Sequence, residues 1–264
     1  MSSWLTLAYS TTLMFDTLMT SSVLLAAWGL ARADRGERGG WALLIGGVAL
    51  GLLTKGPVIL VYGMPVAVAH RLWTVRPGQR WFRFLLPCLL VASMPILIWV
   101  LAIAQTTDNA HLRELLVTQT LARIDGTVGH GRPSWWYLPW LAPTAMPWVL
   151  WPAFWRRLRQ FPGQAFADRS LRFVVIAAVS ALLILSLIGG KQVHYLLPVW
   201  AIAVPGLAAL LAQTEIRARD ARLLWVPFAI PLALAWLPVR DAAIHADLVA
   251  IRPALTAGAF VFDT

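Results

Sequence analysis

The sequence predicts an all-α, polytopic integral membrane protein, and three observations predict it. Of 264 residues, 59% are hydrophobic and 13% charged, with a mean hydropathy of +0.69, far outside the balance of a soluble globular domain. Apolar runs long enough to cross a hydrocarbon core, about 17–25 residues, recur along the chain. Between them Lys and Arg gather in short clusters. The net charge of +10 would suit a nucleic-acid binder if it lay on one surface. Scattered between apolar runs, it reads as a set of orientation signals, and no nucleic-acid partner is expected.

The runs fall at 13–31, 41–70, 84–104, 135–155, 173–189, 194–213 and 223–239. All but 41–70 have the length of one span, so the expectation is about six full spans plus a broken hairpin at 41–70. Residues 1–240 form one transmembrane module, and 241–264 a short outward C-terminal segment. The opening residues Met1–Ser10 carry no basic stretch and no signal-peptide pattern. The chain starts almost inside a hydrophobic segment, so an incomplete N-terminus is expected. Its single cysteine, Cys88, excludes an intrachain disulfide and any cysteine-based metal site.

The hairpin follows from counting charge. Four connectors (Arg32, Arg35, Arg38; Arg71, Arg76, Arg80, Arg83; Arg156, Arg157, Arg159, Arg169, Arg172; Arg217, Arg219, Arg222) hold 15 of the 22 Lys and Arg. If 41–70 crossed once, the connectors would divide between the two sides. If it goes in and returns, all four share the cytoplasmic side, as the positive-inside rule prefers. Thirty helical residues reach roughly 45 Å, too long for one upright crossing and too short for two full ones. A break at Thr54-Lys55-Gly56-Pro57 resolves this, because Pro57 lacks an amide donor and Gly56 can turn; a single strongly tilted, kinked helix is the alternative.

On the opposite, outward side this topology collects the unusual polar residues. Asp16 lies among apolar neighbours in MFDTLMT (14–20), and an acid at membrane depth is a candidate site residue. Lys55 and Lys191 are the only lysines, each beside glycine. Each alone could snorkel to headgroups; two of them with an acid suit a phosphate. His130 and Arg132 precede Trp135, Trp136, Tyr137, Trp140 and Trp148, which read as an interfacial aromatic belt. An arginine can clamp phosphate oxygens and a neutral histidine can hydrogen-bond them or ligate a metal. Asp16 and His130 are the metal candidates, without a further ligand at metal spacing. Lys191, His194 and Tyr195 stand at the mouth of a span, where the Tyr195 hydroxyl can reach a phosphate or sugar. No Walker A loop, Rossmann fingerprint, HExxH or GxSxG occurs. The energy for a reaction would come from an activated lipid-linked donor.

FDTLMT, GLLTKGPV (51–58), HGRPSWWYLP (130–139) with MPW (146–148), and GKQVHYLLPVWAIAVPGLAALLA (190–212) resemble, in order and spacing, the aminoarabinose transferase and protein O-mannosyltransferase group of membrane glycosyltransferases, which have the C-type fold. The resemblance covers about residues 8–213. It implies an inverting transfer of a sugar from a polyprenyl-phosphate carrier to an acceptor (lipid A, protein or another glycan) on the periplasmic side of the bacterial inner membrane. It implies that Asp16 matches the family's membrane-loop aspartate, that Lys55 and Lys191 match basic positions near the carrier phosphate, and that His130 and Arg132 match its His-x-x-Pro region. Tyr195 joins this carrier-phosphate set. No cofactor is required by these motifs, and a divalent metal is left open. The family's principal acidic residue lies in an earlier outward loop, so the general base is expected upstream of Met1; the alternative is that it is missing, and the chain is then an inactive or partial fragment that binds the lipid phosphate without turnover. Two other functions fit the composition: a transporter or flippase for a lipid-linked or anionic solute, with Lys55 at the midplane, and a non-catalytic membrane assembly subunit.

Overall fold

The computed structural model describes residues 15–74, 80–107, 131–145 and 148–212, together with Asp220 and Trp225. These residues are helical, with no strand among them and a single antiparallel bridge between Gly131 and Gly190. The helices are α1 (Phe15–Arg35), α2 (Gly40–Lys55), α3 (Val58–Val68), α4 (His70–Trp73), α5 (Trp81–Ala104), α6 (Leu138–Thr144), α7 (Pro152–Ala167), α8 (Arg169–Leu187) and α9 (Leu196–Ala212). The expected all-α class is observed.

Two of these helices, α5 and α8, are long and apolar enough to cross a bilayer, while α2 and α3 are apolar but shorter. Exposed side chains on α5 include Phe84, Leu90, Ile98 and Leu101. A helix that turns such residues outward along its length suits a hydrocarbon surrounding rather than water. The run 135–155 is not one helix: it divides into the 3-10 turn Ser134–Tyr137, α6, the 3-10 turn Trp148–Leu150 and the start of α7. Pro139, Pro143 and Pro152 remove amide donors every few residues and prevent one continuous ladder. The expected span at 223–239 lies outside the described residues.

The centre of the fold is the antiparallel pair α1 and α2. Ser22, Ala26, Gly29 and Ala33 are buried along one stripe of α1, and Gly40, Gly47 and Gly51 along α2. A Cβ placed on Gly47 would lie 2.5 Å from the Ala26 amide nitrogen, and one on Gly29 2.4 Å from that of Leu44. The two backbones therefore touch without intervening side chains, the packing that small residues permit where lipid supplies no hydrophobic drive.

At the end of α2 the chain turns as the sequence anticipates. Gly56 takes φ 66°, ψ −145°, its amide closes onto the Leu52 carbonyl, and Pro57 opens α3. Residue 59 folds back so far that a Cβ on Gly51 would sit 2.5 Å from Ile59 Cγ1. At 1.5 Å per residue α2 extends about 24 Å and α3 about 16 Å, so both are shorter than an upright crossing. Two indoles complete the return: Trp73 Nε1 donates to the Val66 carbonyl at 2.8 Å and Trp81 Nε1 to that of Ala67 at 2.9 Å. These are carbonyls near the end of α3, where helix acceptors lack partners of their own.

Two buried acids mark the ends of α1. Asp34 accepts from His70 Nε2 at 2.7 Å, from Arg169 Nη2 at 2.6 Å and from the Thr74 hydroxyl. Asp16, 18 positions earlier, meets Lys55. Hence α2 runs from the Asp34 end to the Asp16 end, α3 returns, α8 rises from Arg169, and α9 starts back at the Asp16 end. Arg32, Arg35, Arg38, Arg71, Arg169 and Arg172 sit toward the Asp34 end, away from Lys55. This is the segregation that the charge count required of 41–70.

Replacing Gly47 by Leu should separate α1 from α2 and cost about 1–3 kcal/mol. Thermal unfolding in detergent checks this, with Gly46→Ala as the control. A Cβ at Gly46 meets only Leu25 Cδ2, at 3.9 Å, so the control should melt like the parent.

Candidate functional site

The site is assembled at the Asp16 end. Asp16 occupies the first turn of α1 and Lys55 the last turn of α2, positions where the helix dipoles favour an anion and a cation respectively. The glycine seam fixes the helices in register, so that Lys55 Nζ donates to Asp16 Oδ1 at 2.6 Å although 39 residues separate them. The Asp16 side chain is 7% exposed and that of Lys55 23%. The ion pair is therefore open to a ligand on the lysine side.

The 3-10 turn Val193–Tyr195 brings a second layer. His194 Nε2 stands 3.7 Å from Asp16 Oδ2, beyond a direct hydrogen bond and suited to a bridging hydroxyl or water. The Tyr195 ring centroid lies 5.5 Å from Lys55 Nζ, within cation–π range. Tyr62, buried on α3, donates its hydroxyl to the Tyr195 carbonyl at 3.0 Å and so fixes the turn.

Lys191 has a different placement from Lys55. Sequence reasoning sets both at an outer interface, but Lys191 is 2% exposed. It donates to the Arg132 carbonyl at 2.9 Å and to the Ile188 carbonyl. Burial lowers its ammonium from the ordinary lysine range. With the Arg132 amide donating to Gly189 at 3.2 Å and the Gly131–Gly190 bridge, Lys191 ties the segment before α6 to the turn after α8. Arg132 itself extends over Trp136, 4.5 Å from the ring centroid.

Tyr137, grouped by sequence with the interfacial belt, is buried instead, at 1% exposure, whereas Trp135 is 62% exposed. Its hydroxyl makes no well-formed hydrogen bond among the described residues, the Gln192 backbone being the polar group that approaches it. Tyr62 lies within electrostatic range of Asp16, Tyr137 and Tyr195. The structure thus brings together Asp16, Lys55, His194 and Tyr195, with Lys191 and Arg132 on the adjoining clasp. His130 lies outside the described residues. Among the described residues no group of three or more His, Cys, Asp and Glu is placed to hold a metal, and the cation beside Asp16 is the Lys55 ammonium. Sequence reasoning missed Tyr62 and the burial of Tyr137. No periodic signal distinguishes either from a lipid-facing aromatic residue.

The fold and site define an all-α protein with bilayer-length helices and a partly open carboxylate–ammonium pair at one end. Comparison with known proteins gives the relatives of this class. No family model and no solved structure matches the chain. The chain is 28% identical over 221 residues to undecaprenyl phosphate-alpha-4-amino-4-deoxy-L-arabinose arabinosyl transferase 1 of Pseudomonas fluorescens strain Pf0-1, covering 78% of this chain and 35% of the relative. It is 34% identical over 186 residues to the transferase of that name from Pseudomonas aeruginosa strain LESB58, covering 66% and 32%. The figures for the transferase of Edwardsiella ictaluri strain 93-146 are 31% over 198 residues, covering 70% and 33%. The chain is thus similar in sequence to curated aminoarabinose arabinosyl transferases, and it spans about a third of the length of the relatives it matches.

Asp16→Asn and Lys55→Met should each lower stability by about 2 kcal/mol. That is less than the ~3–5 kcal/mol for breaking a fully buried pair, because Lys55 is partly solvated. The double variant should melt above either single one, since neither charge is then left alone. Additive losses in a thermal double-mutant cycle would contradict the pairing.

Proposed function

We propose that this chain acts in a membrane glycosyltransferase that moves a sugar from a polyprenyl-phosphate carrier to an acceptor of the lipid A class, with inversion, on the periplasmic side of the bacterial inner membrane. The observation that carries the reading is the Lys55–Asp16 pair with His194 and Tyr195 around it, in a chain whose relatives are named for an undecaprenyl-phosphate sugar donor.

The chemistry fits this set of groups. In an inverting transfer the acceptor hydroxyl gives its proton to a carboxylate base as its oxygen forms a bond to the anomeric carbon and the carbon–oxygen bond to the phosphate breaks. The electron pair leaves with the lipid phosphate. That leaving group needs charge stabilisation rather than a protonating acid. Lys55 supplies a point charge on the open side of the pair, and Arg132 a planar donor fork. Asp16 orients the acceptor hydroxyl or a cation bound with it, and His194 and Tyr195 offer hydrogen bonds to phosphate or sugar. Lys191 contributes through position, because its ammonium is buried on carbonyls and holds the backbone that carries Arg132. His130, two residues before Arg132, remains a proposed phosphate or metal contact.

The test is transfer of aminoarabinose to lipid A, followed by mass spectrometry in cells that express the gene encoding this chain. Lys55→Ala should reduce transfer at least tenfold. The Asp16→Asn, Lys55→Met double variant should regain thermal stability without regaining transfer, which separates a lost site from a lost fold. Parental transfer by Lys55→Ala would overturn the assignment.

A further inference from the structure

The Asp34 end carries a second feature that the transfer reaction does not use. Helices α1, α8 and α9 enclose a cleft of about 600 Å³, walled by Leu24, Trp28, Phe173, Val174, Ile202 and Pro205 and bounded by Arg35 and Arg169. This is the size of a small-molecule site, and its lining is mostly apolar. Ser21 and Arg35, both on its α1 wall, are 14 positions apart, or about 21 Å along the helix. That is more than half of a hydrocarbon core ~30 Å thick, so the cleft follows the direction of a lipid tail from headgroup level past the midplane.

The charge at its end is unbalanced. Segments 32–38 and 168–172 hold five arginines against three acids, Asp34, Glu37 and Asp168. Asp34 is fully buried and shared among His70, Thr74 and Arg169, and Asp168 caps the α8 amide of Leu171. Glu37 is the acid left to face Arg32 and Arg35. Arg169 uses one nitrogen for Asp34, and a guanidinium has five donors. Arg32 extends over Trp28, the exposed indole of the cleft wall. An apolar trough ending in excess arginine complements one chemistry: an acyl tail with an anionic phosphodiester headgroup.

We infer that the cleft between α1, α8 and α9 seats an anionic glycerophospholipid, its tail along Trp28 and Phe173 and its phosphodiester against Arg35 and Arg169. This site is distinct from the proposed sugar-carrier site, which lies at the opposite end of α1, and does not depend on that reading.

The experiment uses the protein in phosphatidylcholine nanodiscs containing a fixed mole fraction of either brominated-chain phosphatidylglycerol or brominated-chain phosphatidylcholine. The Trp28 contribution is obtained by subtracting the quenching of Trp28→Phe. Brominated phosphatidylglycerol should quench this component at least threefold more effectively than brominated phosphatidylcholine. Ala31 also lines the α1 wall of the cleft; Ala31→Phe, which fills the cleft, and Arg35→Gln, which removes a boundary charge, should each bring the ratio close to one while the melting temperature is kept. Native mass spectrometry of retained phosphatidylglycerol gives a second readout and should show the bound lipid lost in Ala31→Phe. Equal quenching by the two lipids would overturn the inference. So would a preference that survives Ala31→Phe, which marks diffuse attraction to the arginines, or absence of quenching by either lipid, which marks a cleft covered by protein.

Discussion

Backbone contact between α1 and α2 is the constraint on which the remaining arrangement depends. Gly29, Gly40 and Gly47 let the two helices meet where any larger side chain would collide with main chain. Because these helices are antiparallel, their packing sets the level of every charged residue at both ends. Asp16 is brought to Lys55 at one end. At the other, Asp34 is left facing the returning hairpin and the start of α8. A shift of one helical turn, about 5.4 Å, would separate the first pair and leave a charge uncompensated in an apolar surrounding.

That compensation differs between the two ends, and the difference separates structure from chemistry. Asp34 is buried and engaged by three groups from two segments, an arrangement that ties elements together and leaves the carboxylate itself no place for a ligand. Asp16 is engaged by one lysine whose side chain is still partly exposed, with a histidine at bridging distance and an aromatic ring beside the ammonium. The first constellation is satisfied, whereas the second can exchange part of its pairing for a bound anion or hydroxyl. The clasp of Lys191 on the Arg132 and Ile188 carbonyls then brings the loop before α6 onto the turn before α9.

Much of this was legible in the sequence, for identifiable reasons. Hydropathy marks α5 and α8, whose apolar runs are uninterrupted. The Gly56-Pro57 pair marks the break, and the distribution of arginine marks the return of 41–70, because both follow from local backbone chemistry or from charge outside the core. The run 135–155 was misread as one span because hydropathy weighs its tryptophans and overlooks the prolines that divide it. Asp16 and Lys55 stood out as charges in apolar segments, but their direct contact could not be read from residues 39 positions apart. The burial of Lys191 was missed because its acceptors are backbone carbonyls, which no side-chain pattern reveals. Asp34 was hidden within a connector read only for its arginines, although an acid there needs a partner. Tyr62 and Tyr137 resemble the lipid-facing aromatic residues around them, and the fold alone distinguishes them.

The account holds that the open acid–lysine end of the bundle receives the lipid phosphate. The most direct measurement is photo-cross-linking with a polyprenyl phosphate bearing a photoreactive group next to its phosphate, followed by peptide mapping. The account predicts adducts within residues 54–57 and 191–195, suppressed by unlabelled polyprenyl phosphate. Competed adducts confined to the Asp34 end, at residues 32–38 or 168–172, would contradict it.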